Sequence, residues 1–271
     1  MTENRRFLFE VIGLIVVYFL LSAIALWLVT SITPLIWLGQ TSQGQLFYTL
    51  LSVGLIHVLL FPFVKFVKGR DYLELLGRFD LKLGISANLL AVASFFIAEW
   101  IFLWIFHTKM TFSWGGSLWV WLVWIIPFMI VTFLQVTAEE FFFRGFIQGE
   151  LERLNFSHTA VILIPAIMWT IPHWGNVSIG HIKPSFLILI FTLALIMGDM
   201  VQRQRSLIGP ITLHFAFNIF SMCIYANNLR STSMLAYISD AKELPNLIQS
   251  FYFIWLAIPL AIIYLVMRER V

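Results

Sequence analysis

Two adjacent carboxylates and an arginine, Glu139, Glu140 and Arg144, follow a stretch from Leu118 to Leu134 that carries no charge. A carboxylate inside a bilayer costs at least a few kcal/mol unless it is paired or faces water, so these acids mark a candidate functional site. On a helix, Glu140 and Arg144 are four residues apart and share a face, which suits an ion pair. Glu139 is turned about 100° from Glu140 and about 140° from Arg144, so one arginine does not serve both acids. Glu140 reads as a structural partner of Arg144, and Glu139 as the acid left for chemistry, provided the helical phase runs unbroken through Arg144.

Other polar residues fall in apolar surroundings: Glu99, His173, Asp199, His214 and Asn218. His214 and Asn218 are four apart on one helical face. Asp199 stands beside Arg203 and Arg205 and reads as their interfacial partner, while His57, His107, His158 and His181 fall near span ends or in loops, where water satisfies them. A free glutamate facing two imidazoles and an amide suggests hydrolysis. The glutamate takes a proton from water, and a histidine and an asparagine at helical spacing donate to the oxyanion of a tetrahedral intermediate. The alternative is a divalent metal such as zinc on Glu139, His173 and His214, since two imidazoles, a carboxylate and a water make a catalytic zinc set. Spacing leaves both open, because the two histidines come from different segments.

The elements that must position these groups are apolar helices. The chain has 271 residues, 60% hydrophobic and 11% charged, with a mean hydropathy of +0.90, far from soluble domains. The single cysteine, Cys223, excludes an internal disulfide and thiolate zinc sites. Apolar runs long enough to span a bilayer predict eight transmembrane helices at about 7–29, 46–67, 84–106, 118–154, 158–174, 184–201, 206–226 and 247–267. The first is longer than the apolar part of a secretory signal and reads as a retained span. The fourth is too long to lie wholly in lipid, and Arg144 to Leu154 is expected to emerge as an amphipathic extension.

Loop charges support this count. Alternation puts 13 of the 17 Lys and Arg on one side, Arg144 among them, and leaves Lys109, Lys183, Arg230 and Lys242 on the other. By the positive-inside rule both termini are then cytoplasmic, and the charge balance reports topology rather than a nucleic-acid partner. The expectation is an all-α integral membrane protein with a single polytopic membrane domain over 1–271 and a motif-bearing core at about 118–226. If the fourth and fifth helices form a hairpin turning at Asn155 to Ser157, Glu139 and His173 both lie about 22 Å from the turn, at one level. His214 matches that level less well unless its helix begins inside the membrane.

These residues resemble the CAAX protease and bacteriocin-processing family (also called Abi), the intramembrane proteases that include the Rce-type prenyl endopeptidases. The resemblance rests on Glu139-Glu140-x-x-x-Arg144, on the element ending at His173, and on His214-x-x-x-Asn218, in that order, and covers about Phe128 to Phe220. It implies an eight-helix bundle with an intramembrane catalytic cavity opening towards the cytoplasmic leaflet. It also implies that Glu139 activates water with help from His173, that His214 and Asn218 bind the oxyanion, and that Glu140 with Arg144 supports the site. Trp169 departs from the family's usual phenylalanine and keeps an aromatic wall. The expected function is an intramembrane endopeptidase of a bacterial cytoplasmic membrane. Its substrate is a peptide or membrane protein, such as a prenylated tail or a bacteriocin leader. The alternatives are a non-enzymatic role in bacteriocin self-immunity or membrane signalling and, further off, a secondary transporter, against which stands the absence of inverted repeats.

Overall fold

The computed structural model describes residues 3–31, 51, 53–107, 110–113, 118–174, 184–220, 236–239 and 246–268. They are almost entirely helical: α1 (Glu3–Ser31), α2 (Ile56–Pro62), α3 (Leu81–Phe106), α4 (Leu118–Glu140), α5 (Gly149–Arg153), α6 (His158–Thr170), α7 (Ser185–Gln204), α8 (Ile208–Ile219) and α9 (Asn246–Met267). A helical segment lies on each apolar run, and three helices, Leu81–Phe106, Ile125–Arg153 and Ser185–Gln204, are long and apolar enough to cross a membrane. Four shorter apolar helices accompany them, at Ile56–Val67, His158–His173, Ile208–Ile219 and Phe253–Met267. The all-helical expectation needs one amendment: β1 (Met110–Ser113) pairs antiparallel with β2 (Ala236–Ser239). Lys109, Lys183, Arg230, Lys242, His181 and Cys223, like 221–226 of the expected core, lie outside the described residues.

Two apolar clusters hold the bundle. In one, α3, α6, α7, α8 and α9 meet around Ala87, Leu193, Met197 and Leu213. Small residues let these backbones approach, as in membrane helix packing generally. A Cβ on Gly84 would meet Ile208 and Thr212 of α8. In the other cluster, α1, α2 and α6 gather around the aromatic segment after α4, where Phe141 faces Tyr72, Phe146 faces Phe63 and Phe142 stacks near Phe146. The α2–α3 connection docks on the end of α7 through Gly77, whose positive φ of 69° sets it beside the Arg205 backbone. There Arg78 N donates to Arg205 O and Leu207 N to Leu76 O, each at 2.9 Å.

The helical phase does not run unbroken beyond Glu140. Residues Phe141–Gln148 form a π-helix before α5 resumes α-helical geometry. Such segments recur at functional sites because the wider turn re-aims side chains. The expected amphipathic extension is also corrected: Arg144, Gln148 and Glu150 are all buried, Gln148 donating across to the Gly198 carbonyl at 2.9 Å. Arg144 is therefore no loop charge and drops out of the positive side. A polar residue points inward here because the neighbouring helices offer it a partner, a matter that one segment's polarity does not reveal.

Candidate active site

Helix α4 carries Gln135, Glu139 and Glu140 into the bundle, all buried. Gln135 lies one turn before Glu139 and its Nε2 donates to Glu139 Oε1 at 2.6 Å. The other oxygen, Oε2, accepts the indole N–H of Trp169 at 2.5 Å. Glu140, 0% exposed, takes a different set: Arg144 Nη1 donates to Oε1 at 3.1 Å, and His214 Nδ1 meets the same oxygen at 2.9 Å. The two adjacent acids thus separate as their angular offset requires, and Arg144 still reaches Glu140 although the intervening turn is π-helical.

The hairpin between α5 and α6 turns at Leu154–Ser157, where Ser157 Oγ caps α6 by accepting from Ala160 N. This brings α6 alongside the π segment, with Trp169 and His173 level with Glu139. Pro172 has no N–H, and the end of α6 tightens to a 3-10 turn over Ile171–His173. His173 Nδ1 lies 2.8 Å from the Trp169 carbonyl. A carbonyl only accepts, so Nδ1 carries the proton and Nε2 is the ring nitrogen able to take one. Glu139, His214 and Arg144 are the charged or titratable neighbours of this ring.

Helix α8 supplies His214 and Asn218 from one face. With His214 Nδ1 on Glu140, its Nε2 is turned to Glu139 Oε2 at 3.9 Å. Asn218 Nδ2 donates to Gln135 Oε1 at 3.0 Å. Trp169 lies among all of them, its ring 4.8 Å from the Arg144 guanidinium and its centroid 4.8 Å and 5.1 Å from those of His173 and His214.

The structure therefore brings the buried Glu139, Glu140, Arg144, His214 and Asn218 and the half-buried His173 into one cluster, with His214 bonded to Glu140 and Asn218 to Gln135. Among the described residues no three His, Cys, Asp or Glu side chains are arranged to share a metal ion. His173 and His214 each spend Nδ1 on a protein acceptor, Trp169 O and Glu140, and keep Nε2, while each Glu139 oxygen accepts one protein donor.

Sequence reasoning passed over Gln135, although its i, i+4 spacing to Glu139 is a readable signal. Trp169 was legible only as an aromatic wall, since its N–H partner lies on another helix. His57 is another correction: water does not satisfy it. Tyr72 O–H is 2.5 Å from Nδ1, and Nε2 is 3.0 Å from Thr137 Oγ1, whose own proton goes to Phe133 O at 2.8 Å. Because the threonine proton is spent on a carbonyl, His57 donates from Nε2 and accepts from Tyr72 at Nδ1. Asp199 pairs with Arg203 at 2.9 Å as expected and also accepts from Tyr264 O–H at 2.7 Å, whereas Arg205 pairs with Glu152 instead. Glu99 is buried and engaged within the bundle.

Residues 117–220 match the family model of the type II CAAX prenyl endopeptidases, Rce1-like. That span contains every residue of the cluster. Neither the curated proteins nor the solved structures give a match to the chain.

Proposed function

We propose that this chain, as a single polytopic membrane domain of eight spans with both termini cytoplasmic, is an intramembrane endopeptidase in which Glu139 activates the hydrolytic water. The family match over 117–220 supports peptidase chemistry, and the apolar helices support a site inside the bilayer. The observation that carries the assignment of the base is the contrast between the two acids. Glu140 is bound to a guanidinium and an imidazole, whereas Glu139 is held by two neutral donors. Glu140 is thus taken up in an ion-pair network, whereas Glu139, bonded by neutral N–H groups, keeps lone pairs open to a water.

In the proposed cycle, water donates to Glu139 and its oxygen adds to the scissile carbonyl, the proton passing to the carboxylate. His173, with Nε2 as acceptor, relays that proton towards the leaving amine. His214 Nε2 faces the reacting side of Glu139 and, in its protonated form, donates to the oxyanion. Asn218 donates its second amide hydrogen to the same oxyanion while Gln135 holds the first. Glu140 and Arg144 fix His214. Substrates are peptides or membrane-protein segments that enter from the bilayer, a prenylated tail or leader peptide among them.

Glu139→Gln tests this directly. Cleavage is expected to fall by about 10²–10⁴-fold, the usual contribution of a general base, in protein that remains folded in detergent. Turnover at the wild-type rate would overturn the mechanism, and a cellular phenotype independent of Glu139 would favour the non-enzymatic role.

A further inference from the structure

Trp169 is among the largest fully buried side chains of the described residues, and it bonds to what it packs against. Its indole N–H ends on Glu139 Oε2 at 2.5 Å, its ring lies against Arg144, and its carbonyl holds the Nδ1 proton of His173 at 2.8 Å. Across the same carboxylate, Gln135 Nε2 ends on Oε1 at 2.6 Å, while Asn218 at 3.0 Å holds the far side of that amide. Each oxygen of Glu139 thus receives one neutral N–H donor, from two different helices.

We propose that Trp169, through its indole N–H, and Gln135, through its side-chain amide, are positioning residues that hold the Glu139 carboxylate in the orientation needed to take a proton from water. This rests on the reading of Glu139 as the base. A glutamate has three rotatable side-chain bonds, and donors on both oxygens fix the last of them, which a single donor leaves free to swing. Each oxygen keeps a further lone pair for water. Neither donor adds a charge, so the carboxylate is oriented by hydrogen bonds alone. Misplacing a reacting group by about 1 Å costs on the order of 10²-fold in rate, which sets the scale of the effect. A phenylalanine at position 169 would keep the ring and lose the donor. The indole therefore does more than line a wall.

The test replaces Trp169 with its benzothiophene isostere by stop-codon suppression, which keeps the ring system and its contacts and removes the N–H alone. Trp169→Phe and Gln135→Met accompany it. Turnover is followed with an internally quenched peptide ending in a prenylated cysteine and three further residues. The isostere and Gln135→Met are each expected to lower kcat by about 10- to 100-fold with KM within about twofold. Combined, they should lose less than the product of the two, because both act through one carboxylate. A second readout needs no turnover: the carboxylate stretching band of Glu139, isolated by difference against Glu139→Gln, should shift in the isostere. Wild-type kcat and an unmoved band in the isostere would overturn the inference, as would a rise in KM alone, which would make Trp169 a substrate contact. If Glu139→Gln itself turns over normally, the reading of the base fails instead. Should Trp169→Phe not fold, the isostere and Gln135→Met decide.

Discussion

Two buried carboxylate sites lie about ten residues apart on one helical run, and their neighbours differ in kind. Glu139 is met by an indole and an amide. Glu150, 2% exposed, is met by three cations: Lys68 at 3.2 Å, Arg70 at 3.2 Å and Arg153 at 3.2 Å. Lys68 also pairs with Glu10 at 2.6 Å, and Arg205 with Glu152 lies nearby on the same end of the molecule. These ion pairs tie α1, the α2–α3 connection and α5 together. Glu140 stands between the two cases, with one guanidinium and one imidazole. Burial alone therefore does not tell these acids apart; the charge of their donors does, since hydrogen bonds from ionised donors are stronger than those from neutral N–H groups.

Breaking each site separately sharpens this contrast. The largest effect on activity is expected from Glu139→Gln, set against Glu150→Gln, whose kcat per folded molecule should match the wild type. Parallel kinetics in one detergent compare the two, and equal losses would erase the distinction. The largest effect on stability is expected from Arg144→Met. It leaves Glu140 buried without its cation, and removing one partner of a buried pair costs about 3–5 kcal/mol, read from unfolding in micelles. Glu150→Gln should cost less, about 1–3 kcal/mol, because Arg70 and Arg153 are 40% and 47% exposed and can turn to water. Added salt should shrink the Glu150 effect and leave the Arg144 effect unchanged, since ions screen only the solvent-facing network.

Smaller effects belong to the periphery. Tyr72→Phe removes the O–H that satisfies His57 and should cost about 1 kcal/mol, with kcat retained. Burial pushes the Tyr72 hydroxyl above its usual range, so it stays a donor across ordinary pH. The smallest is Asp80→Ala at the start of α3. The Leu83 N–H, and after it Arg78, holds the Asp80 carboxylate below its usual range. Its stabilisation is present above about pH 4 and is lost as pH falls through the lower folded value. The acid limb of a melting profile should therefore flatten in the variant.

The helical architecture was legible because lipid-length apolar runs leave the backbone few alternatives. Much of the site was legible for a related reason: charge is costly in such runs, so Glu139, Glu140, Arg144, His173, His214 and Asn218 stood out. Gln135 was overlooked although it is polar in the same run and one turn from Glu139. His57 and Glu150 were misread because their partners, Thr137 and Tyr72 in one case and Lys68 and Arg70 in the other, lie on separate segments.

Residue type and spacing along one helix, with local geometry as the only input, determined that Glu139 and Glu140 point apart and that Glu140 meets Arg144. Which neutral groups hold Glu139, where His214 binds, and that Glu150 is buried among cations were decided only when α6, α8 and the α2–α3 connection came together. Those contacts join residues 30 to 83 positions apart. Hydrogen bonds at that separation depend on how helices pack, which no single segment's pattern contains.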